Sequence, residues 1–155
     1  MNNETDIKFM SKALELAKIA AAKGEVPVGC VIVKDGGIIA EAANSTIEDK
    51  NPLAHAEMKA LEAAIAEIGW RLTDCDMYVT LEPCSMCAGA IVHSRIRRLV
   101  IAARDPKAGA CGSVLDITEN EALNHRLKAE FGVLGDESSM LLKEFFKQLR
   151  DSKKQ

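Results

Sequence analysis

His55 and Glu57, separated only by Ala56, are followed further along the chain by Pro83, Cys84, Ser85, Met86 and Cys87. One imidazole and two thiolates form a soft-to-borderline donor set that suits Zn²⁺, and three protein ligands leave the fourth tetrahedral position open to water. An open position predicts chemistry rather than a purely structural role. The carboxylate of Glu57, two residues from the expected ligand His55, is then placed to move protons instead of binding metal. The reaction this predicts is addition of a zinc-activated water across a C=N bond of a nucleobase, with ammonia leaving. Glu57 is the expected catalytic group: it takes a proton from the water, passes it to the adjacent ring nitrogen, and delivers a second to the departing amine. His55, Cys84 and Cys87 are the expected ligands of one Zn²⁺ per subunit.

A bare Cys-x-x-Cys has other readings, half of a structural zinc site or a redox dithiol among them. A structural site usually has four protein ligands, so the fourth would have to be Cys30, Cys75, Cys111, His93 or His125. None of these stands in a second paired spacing. His93 follows Cys87 by six residues, about 240° around a helix, and so does not share the ligand face; it reads as a packing residue or one held in a structural hydrogen bond. His125 reads as a surface residue, and Cys30, Cys75 and Cys111 as small packing residues.

The elements that must carry these groups can be read from periodicity. Ile7, Met10, Leu14, Ala17 and Ala21 recur at helical spacing and stop at Gly24. Val26 to Val33 is a nearly continuous apolar run, Asp35, Gly36 and Gly37 supply turn chemistry, and Ile38 to Ala43 completes a hairpin. Asn51 and Pro52 read as the cap and first turn of a helix running to Ile68, which puts His55 and Glu57 in its opening turns. Met77 to Leu81 reads as a third strand, and Pro83 opens a second helix to about His93, with Cys84 at its amino end. Leu99 to Ala103 is a fourth strand, parallel to the third through that helix. A short helix near Thr118 to Asn124, a fifth strand near Lys128 to Leu134 and a helix from Asp136 to about Arg150 complete an α/β sandwich with five strands. Two helix amino ends then converge on the metal, and their unpaired N–H groups favour thiolates and a negatively charged nucleophile.

With 155 residues, 48% of them hydrophobic, the chain is expected to fold as a single domain, residues 1–155. The polar, acidic start and the lysines that interrupt the first apolar stripe predict neither a signal peptide nor a membrane span, and a cytoplasmic protein. Five cysteines fit reduced thiols and a metal better than a disulfide framework. Net charge is −3, against broad nucleic-acid affinity. The distribution is uneven: Ser94 to Lys107 carries +4 and Lys143 to Gln155 carries +3. The first of these segments directly follows the metal-binding helix, so phosphate contacts near the pocket are expected there, with a solvated face as the alternative.

The residues Glu25 to Gly29, Asn44, Ala54 to Glu57, the run YVTLEPCSMCAGAIVHSRI from Tyr78 to Ile96, and ARDPKAGACGS from Ala103 to Ser113 resemble the family of bacterial tRNA-specific adenosine deaminases within the cytidine/deoxycytidylate deaminase superfamily. The resemblance implies a cytidine-deaminase-like three-layer α/β/α sandwich with a five-stranded mixed sheet. It implies hydrolysis of adenosine to inosine at the wobble position of a tRNA anticodon stem-loop, by homodimers with each site near the subunit interface. It also implies that Asn44 orients the purine, that the backbone N–H of Ala56 faces the exocyclic group, and that the loop of Arg104 to Lys107 meets RNA, with Lys107 binding substrate. The competing reading with the same zinc chemistry is a deaminase of a free base, nucleoside or nucleotide. A noncatalytic zinc-stabilised RNA-binding subunit is the reading from another class, and Glu57 argues against it.

Overall fold

The computed structural model describes residues 3–153; Met1 and Asn2 of the polar amino end and Lys154 and Gln155 of the basic carboxyl end lie outside the described residues. Phe9, Met10, Ala13, Leu14, Ala17 and Ala20 form the buried stripe of helix α1 (Asn3–Ala22), as the helical spacing requires. Strands β1 (Gly29–Lys34) and β2 (Gly37–Ala43) pair antiparallel around Asp35 and Gly36, whose φ values of 50° and 78° are those a two-residue hairpin demands. Helix α2 (Ala56–Ile68), strand β3 (Cys75–Leu81), helix α3 (Ser85–Ser94), strand β4 (Arg98–Ala103), strand β5 (Ala129–Phe131) and helix α4 (Gly135–Lys153) follow. The sheet order is β2-β1-β3-β4-β5, with β1 antiparallel to β3 and both β3/β4 and β4/β5 parallel.

The two faces of this mixed sheet are sorted residue by residue. Cys30, Ile32, Met77, Val79, Leu99 and Ile101 join a core with Ala60 and Ala64 of α2 and Ala88 and Ile91 of α3. Their alternates Val31, Val33, Tyr78, Val100 and Ala102 pack with Phe9, Met10 and Ala13 of α1 and with Val133 and Leu134, which lead into α4. Side chains of successive strand residues point to opposite faces, so runs buried throughout must be covered by helices on both sides. That is the expected α/β/α sandwich. Gly29 lets α1 lie directly on β1: a Cβ there would sit 1.9 Å from the Ala13 carbonyl oxygen.

Several boundaries differ from the sequence reading. Asn51 does not cap α2; its Oδ1 accepts the Leu53 amide at 2.9 Å in a local turn. The Leu53 and Ala54 carbonyls accept from His55 and Ser45, so the helical ladder starts only at the His55 carbonyl, which takes the Lys59 amide at 3.0 Å. His55 therefore caps α2 from outside rather than lying within it. The segment Thr118 to Asn124 is not helical: Asn120 closes turns through its carbonyl on Leu123 and its Oδ1 on Ala122. Strand β5 is cut short by positive φ at Gly132 and Leu134, 104° and 56°.

The basic run after α3 is largely spent on structure. The Arg98 guanidinium donates to both carboxylate oxygens of Asp6, at 2.9 and 2.7 Å, and to both of Glu130, at 2.7 and 2.8 Å. Tyr78 adds its hydroxyl to Asp6 Oδ1 at 2.5 Å. Arg97 grips Asp76 through two bonds, and Arg95, at the end of α3 with φ 64°, donates to the Val92 carbonyl. Arg98 begins β4 with Arg97 just before it, and parallel strands put that end opposite the end from which β3 runs into Cys84. Of the five cations in the run, Arg104 and Lys107 remain on the metal side, both exposed.

Candidate active site

The metal-binding groups are brought together by two neighbouring helix starts on one face of the sheet. β3 ends at Leu81, and the chain turns through Glu82 and Pro83 to Cys84, which caps α3 in an extended conformation; its carbonyl accepts the Ala88 amide at 2.8 Å. Cys87 lies one turn further in and is fully buried. His55 caps α2 in the same way. His55 Nδ1 stands 3.7 Å from the Cys84 sulfur and 3.5 Å from the Cys87 sulfur, and one donor atom from each of the three lies within 4.8 Å of the others. Tetrahedral zinc with bonds of about 2.0 Å to nitrogen and about 2.3 Å to sulfur separates such donors by about 3.6 Å. The residues thus fit one zinc ion, bound through His55 Nδ1, Cys84 Sγ and Cys87 Sγ.

The electrostatics favour a cation at that point. The Cys87 thiol donates to Cys84 and lowers its pKa to about 5, against the cost of burial and helped by the Cys87 amide and His55. Cys87, which lends that proton and is itself buried, is pushed far up. At neutral pH the two sulfurs hold one proton between them, which a divalent cation displaces. The amides at the start of α3 that lack helical partners, those of Met86 and Cys87, turn to the Cys84 sulfur and stabilise the thiolate that a cation needs.

Glu57 lies in the first turn of α2 and is 4% exposed. Burial pushes its carboxyl up to about 7; its own amide and the Cys87 thiol pull the other way, and the Cys84 thiolate reinforces the rise. A carboxyl balanced near neutrality both accepts and releases protons, as a shuttle must. Ala56, the first residue of α2, is fully buried beside it and carries one of the helix's unpaired amides.

Asn44 and Lys107 lie on the two loops that flank this cluster rather than within it. Asn44 follows β2, is buried, and is held by its amide on the Val28 carbonyl at 3.0 Å; Ser45 bonds the Ala54 carbonyl, next to His55. Lys107 is exposed on a turn in which Asp105 Oδ1 accepts the amides of Lys107 and Ala108 at 3.0 and 3.2 Å. His93 is exposed on α3 instead of packed, and His125 is half-buried against the Ile96 carbonyl at 3.1 Å instead of standing free on the surface. Cys30, Cys75 and Cys111 are buried free thiols.

Two buried carboxylates went unread in the sequence. Glu25, 1% exposed, accepts the amides of Ile47 and Glu48 at 3.1 and 2.8 Å and so holds the loop that follows Asn44. Glu82, 2% exposed, holds the loop that carries Lys107. The available signal was an acid set among apolar residues and prolines: Glu25 before Val26 and Pro27, Glu82 between Leu81 and Pro83. Acids are rarely buried without a polar partner.

A mixed α/β/α sheet with two helix starts closing on a His-Cys-Cys cluster, and a buried glutamate beside it, defines a zinc-dependent hydrolytic deaminase. The chain belongs to the cytidine and deoxycytidylate deaminase zinc-binding region family, whose profile matches residues 3–103. It is 44% identical over 150 residues to the tRNA-specific adenosine deaminase of Bacillus subtilis, covering 96% of this chain and 93% of that protein. It is 50% identical over 145 residues to the tRNA-specific adenosine deaminase of Aquifex aeolicus, covering 93% and 95% of the two. A solved structure from work on A-to-I editing by tRNA:A34 deaminases at the wobble position of transfer RNA superposes with a TM-score of 0.84 at 41% identity, covering 87% of this chain and 99% of that one.

Proposed function

We propose that this protein hydrolyses adenosine to inosine at the wobble position of a tRNA anticodon. The observation that carries the reading is the buried Glu57 beside the convergent His55, Cys84 and Cys87 donors; the near full-length identity to tRNA-specific adenosine deaminases supports the choice of substrate. Zinc held by the three donors supplies a Lewis acid that makes water a nucleophile at neutral pH. Glu57 receives the proton of the attacking water and transfers it to the purine ring nitrogen next to the attacked carbon; it then takes the second proton from the oxygen just added and delivers it to the amine, so that the C–N bond breaks, the carbonyl forms and ammonia leaves. Asn44 orients the purine, the Ala56 amide faces the exocyclic group, and Lys107 meets the RNA backbone. A target inside a continuous stack does not reach a buried carboxylate, so the substrate is a loop with the adenosine turned outward.

The activity is carried by a single domain, residues 1–155, working in the cytoplasm as a homodimer with its site near the subunit boundary. The family resemblance supports the dimer and the compartment, and among the described residues no helix is long and apolar enough to cross a membrane. The deciding experiment is mass-spectrometric detection of inosine after the zinc-loaded protein is mixed with an anticodon stem-loop bearing adenosine at the wobble position, with cytidine, deoxycytidylate and guanine in parallel. Inosine in the RNA alone, lost in Glu57→Gln, is the expected result. Turnover of a free base or nucleotide with the RNA untouched would move the protein to nucleotide salvage.

A further inference from the structure

Glu82 stands between β3 and the metal-binding turn, two residues before Cys84. Its carboxylate is buried, and all four of its hydrogen-bond donors come from residues 105–113. Oε1 accepts the Asp105 amide at 3.0 Å and the Ser113 hydroxyl, while Oε2 accepts the amides of Cys111 and Ser113 at 3.0 and 3.1 Å. The Ala110 amide, on the Pro83 carbonyl at 2.8 Å, ties the same segment to the same turn. Contact is closest at Gly109, where a Cβ would lie 2.3 Å from Glu82 Cδ. Ala110 and Cys111 belong to the same buried core as Ala56 and Ala60 of α2 and Ala88 of α3. Lys107 depends on this arrangement. Its amide bonds the Asp105 side chain, and the Asp105 amide is held by Glu82.

We infer that Glu82 is a positioning residue that fixes the 104–113 loop against the metal-binding turn, so that an RNA backbone held at Lys107 and a base at Glu57 are in register. The inference rests on the RNA-acting reading given above. Glu82 itself touches neither RNA nor the reacting atoms; it acts through the loop. An ionised carboxylate serves here because it only accepts, and all four groups aimed at it donate. Glutamine has the same shape but presents an NH₂ where one oxygen stood: at the Oε1 position it opposes the Asp105 amide while the Ser113 hydroxyl can turn to accept, and at the Oε2 position it opposes the amides of both Cys111 and Ser113.

The test compares wild type with Glu82→Gln, Gly109→Ala and Ser113→Ala, each zinc-loaded, on the anticodon stem-loop with adenosine at the wobble position. In Glu82→Gln, KM is expected to rise a few-fold, up to the rise that loss of Lys107 itself produces, while kcat changes less than about twofold, with zinc still bound one per chain. Hydrogen exchange at the amides of residues 105, 111 and 113 should accelerate at least about tenfold while β3 and β4 stay protected. Gly109→Ala, which forces the carboxylate aside, should reproduce the KM effect, and Ser113→Ala should show a smaller one in the same direction; this last variant retains the test if Glu82→Gln does not fold. An unchanged KM in Glu82→Gln or Gly109→Ala would overturn the inference. So would a fall in kcat alone, or faster exchange spread across the sheet, either of which marks a merely structural residue. If wild type forms no inosine, the proposed reaction fails, and an unaltered exchange pattern at 105, 111 and 113 then counts separately against the clamp.

Discussion

The two ends of strands β3 and β4 both gather charged groups, and they treat them in opposite ways. At the amino end, Arg98 is shared between Asp6 and Glu130 while Tyr78 completes the Asp6 carboxylate, so each charge faces an opposite charge with short bonds. At the carboxyl end, Glu57 is buried beside two sulfurs and its own amide, and among the described residues none of the ion pairs includes it. Saturated charge holds elements together; charge left short of partners is available to a metal, a proton and a substrate. The same sheet therefore separates stability from reactivity by one strand length, and mutations at the two ends should fail differently.

The sharpest break of that contrast is Glu57→Gln. Turnover should fall about 10³-fold or more, zinc should remain at one per chain, and thermal stability should be unchanged or higher because a buried acid has been neutralised. Inosine formation, metal analysis and calorimetry on one preparation check all three, and a large loss of stability would contradict the separation. Arg98→Met is the mirror experiment. It strands the Asp6 and Glu130 carboxylates, one of them buried, and should cost about 2 kcal/mol in urea denaturation, less than a fully buried pair because Arg98 keeps some contact with solvent. Turnover at low temperature should stay near normal, and a loss comparable to that of Glu57→Gln would erase the distinction.

Acid titration sharpens the comparison further. The Arg98 guanidinium holds the Asp6 carboxyl below its ordinary value of 3.8, with the Tyr78 hydroxyl assisting. A depressed folded-state value means that the stabilisation is complete above the unfolded value and disappears as pH falls through the folded one. Wild type should therefore lose stability more steeply than Asp6→Asn below about pH 4, and parallel curves would show that Asp6 carries none of the acid sensitivity. The smallest effect is expected from Lys107→Ala on the metal side. KM for the stem-loop should rise a few-fold, about 1 kcal/mol, and the salt dependence should lose about one unit of slope, with kcat and stability unchanged.

What could be read from the sequence follows the range of the interactions involved. His55 and Glu57, or Cys84 and Cys87, are close in the chain, and their chemistry is written in spacing, so the donor set and the carboxylate beside it were legible before any fold was known. The alternation of Val31 with Ile32, or of Val100 with Ile101, likewise announces strands covered on both faces. Asn51 misled because a cap signal is local while the carbonyls that decide the start of α2 are taken by Ser45 and His55. Arg97 and Arg98 looked like a patch beside the metal because nearness in the chain says nothing about which end of a strand a residue occupies. Glu25 and Glu82 could not be assigned, since the backbone amides that hold them begin 22 and 23 residues away, and every sequence contains such amides.

The knot around Arg98 also sets a timetable. Asp6 is bound to a residue 92 positions further along, and Arg98 in turn to one 32 positions beyond that. During synthesis α1 emerges before the other described elements, yet its polar anchor is not finished until Glu130 is out. The apolar stripe of α1 meanwhile waits for Tyr78, Val100 and Ala102. Contacts of such long sequence separation form late and slowly. Helix α1 is thus among the last of the described elements to be locked, although β1 offers its stripe an early partner in Val31 and Val33.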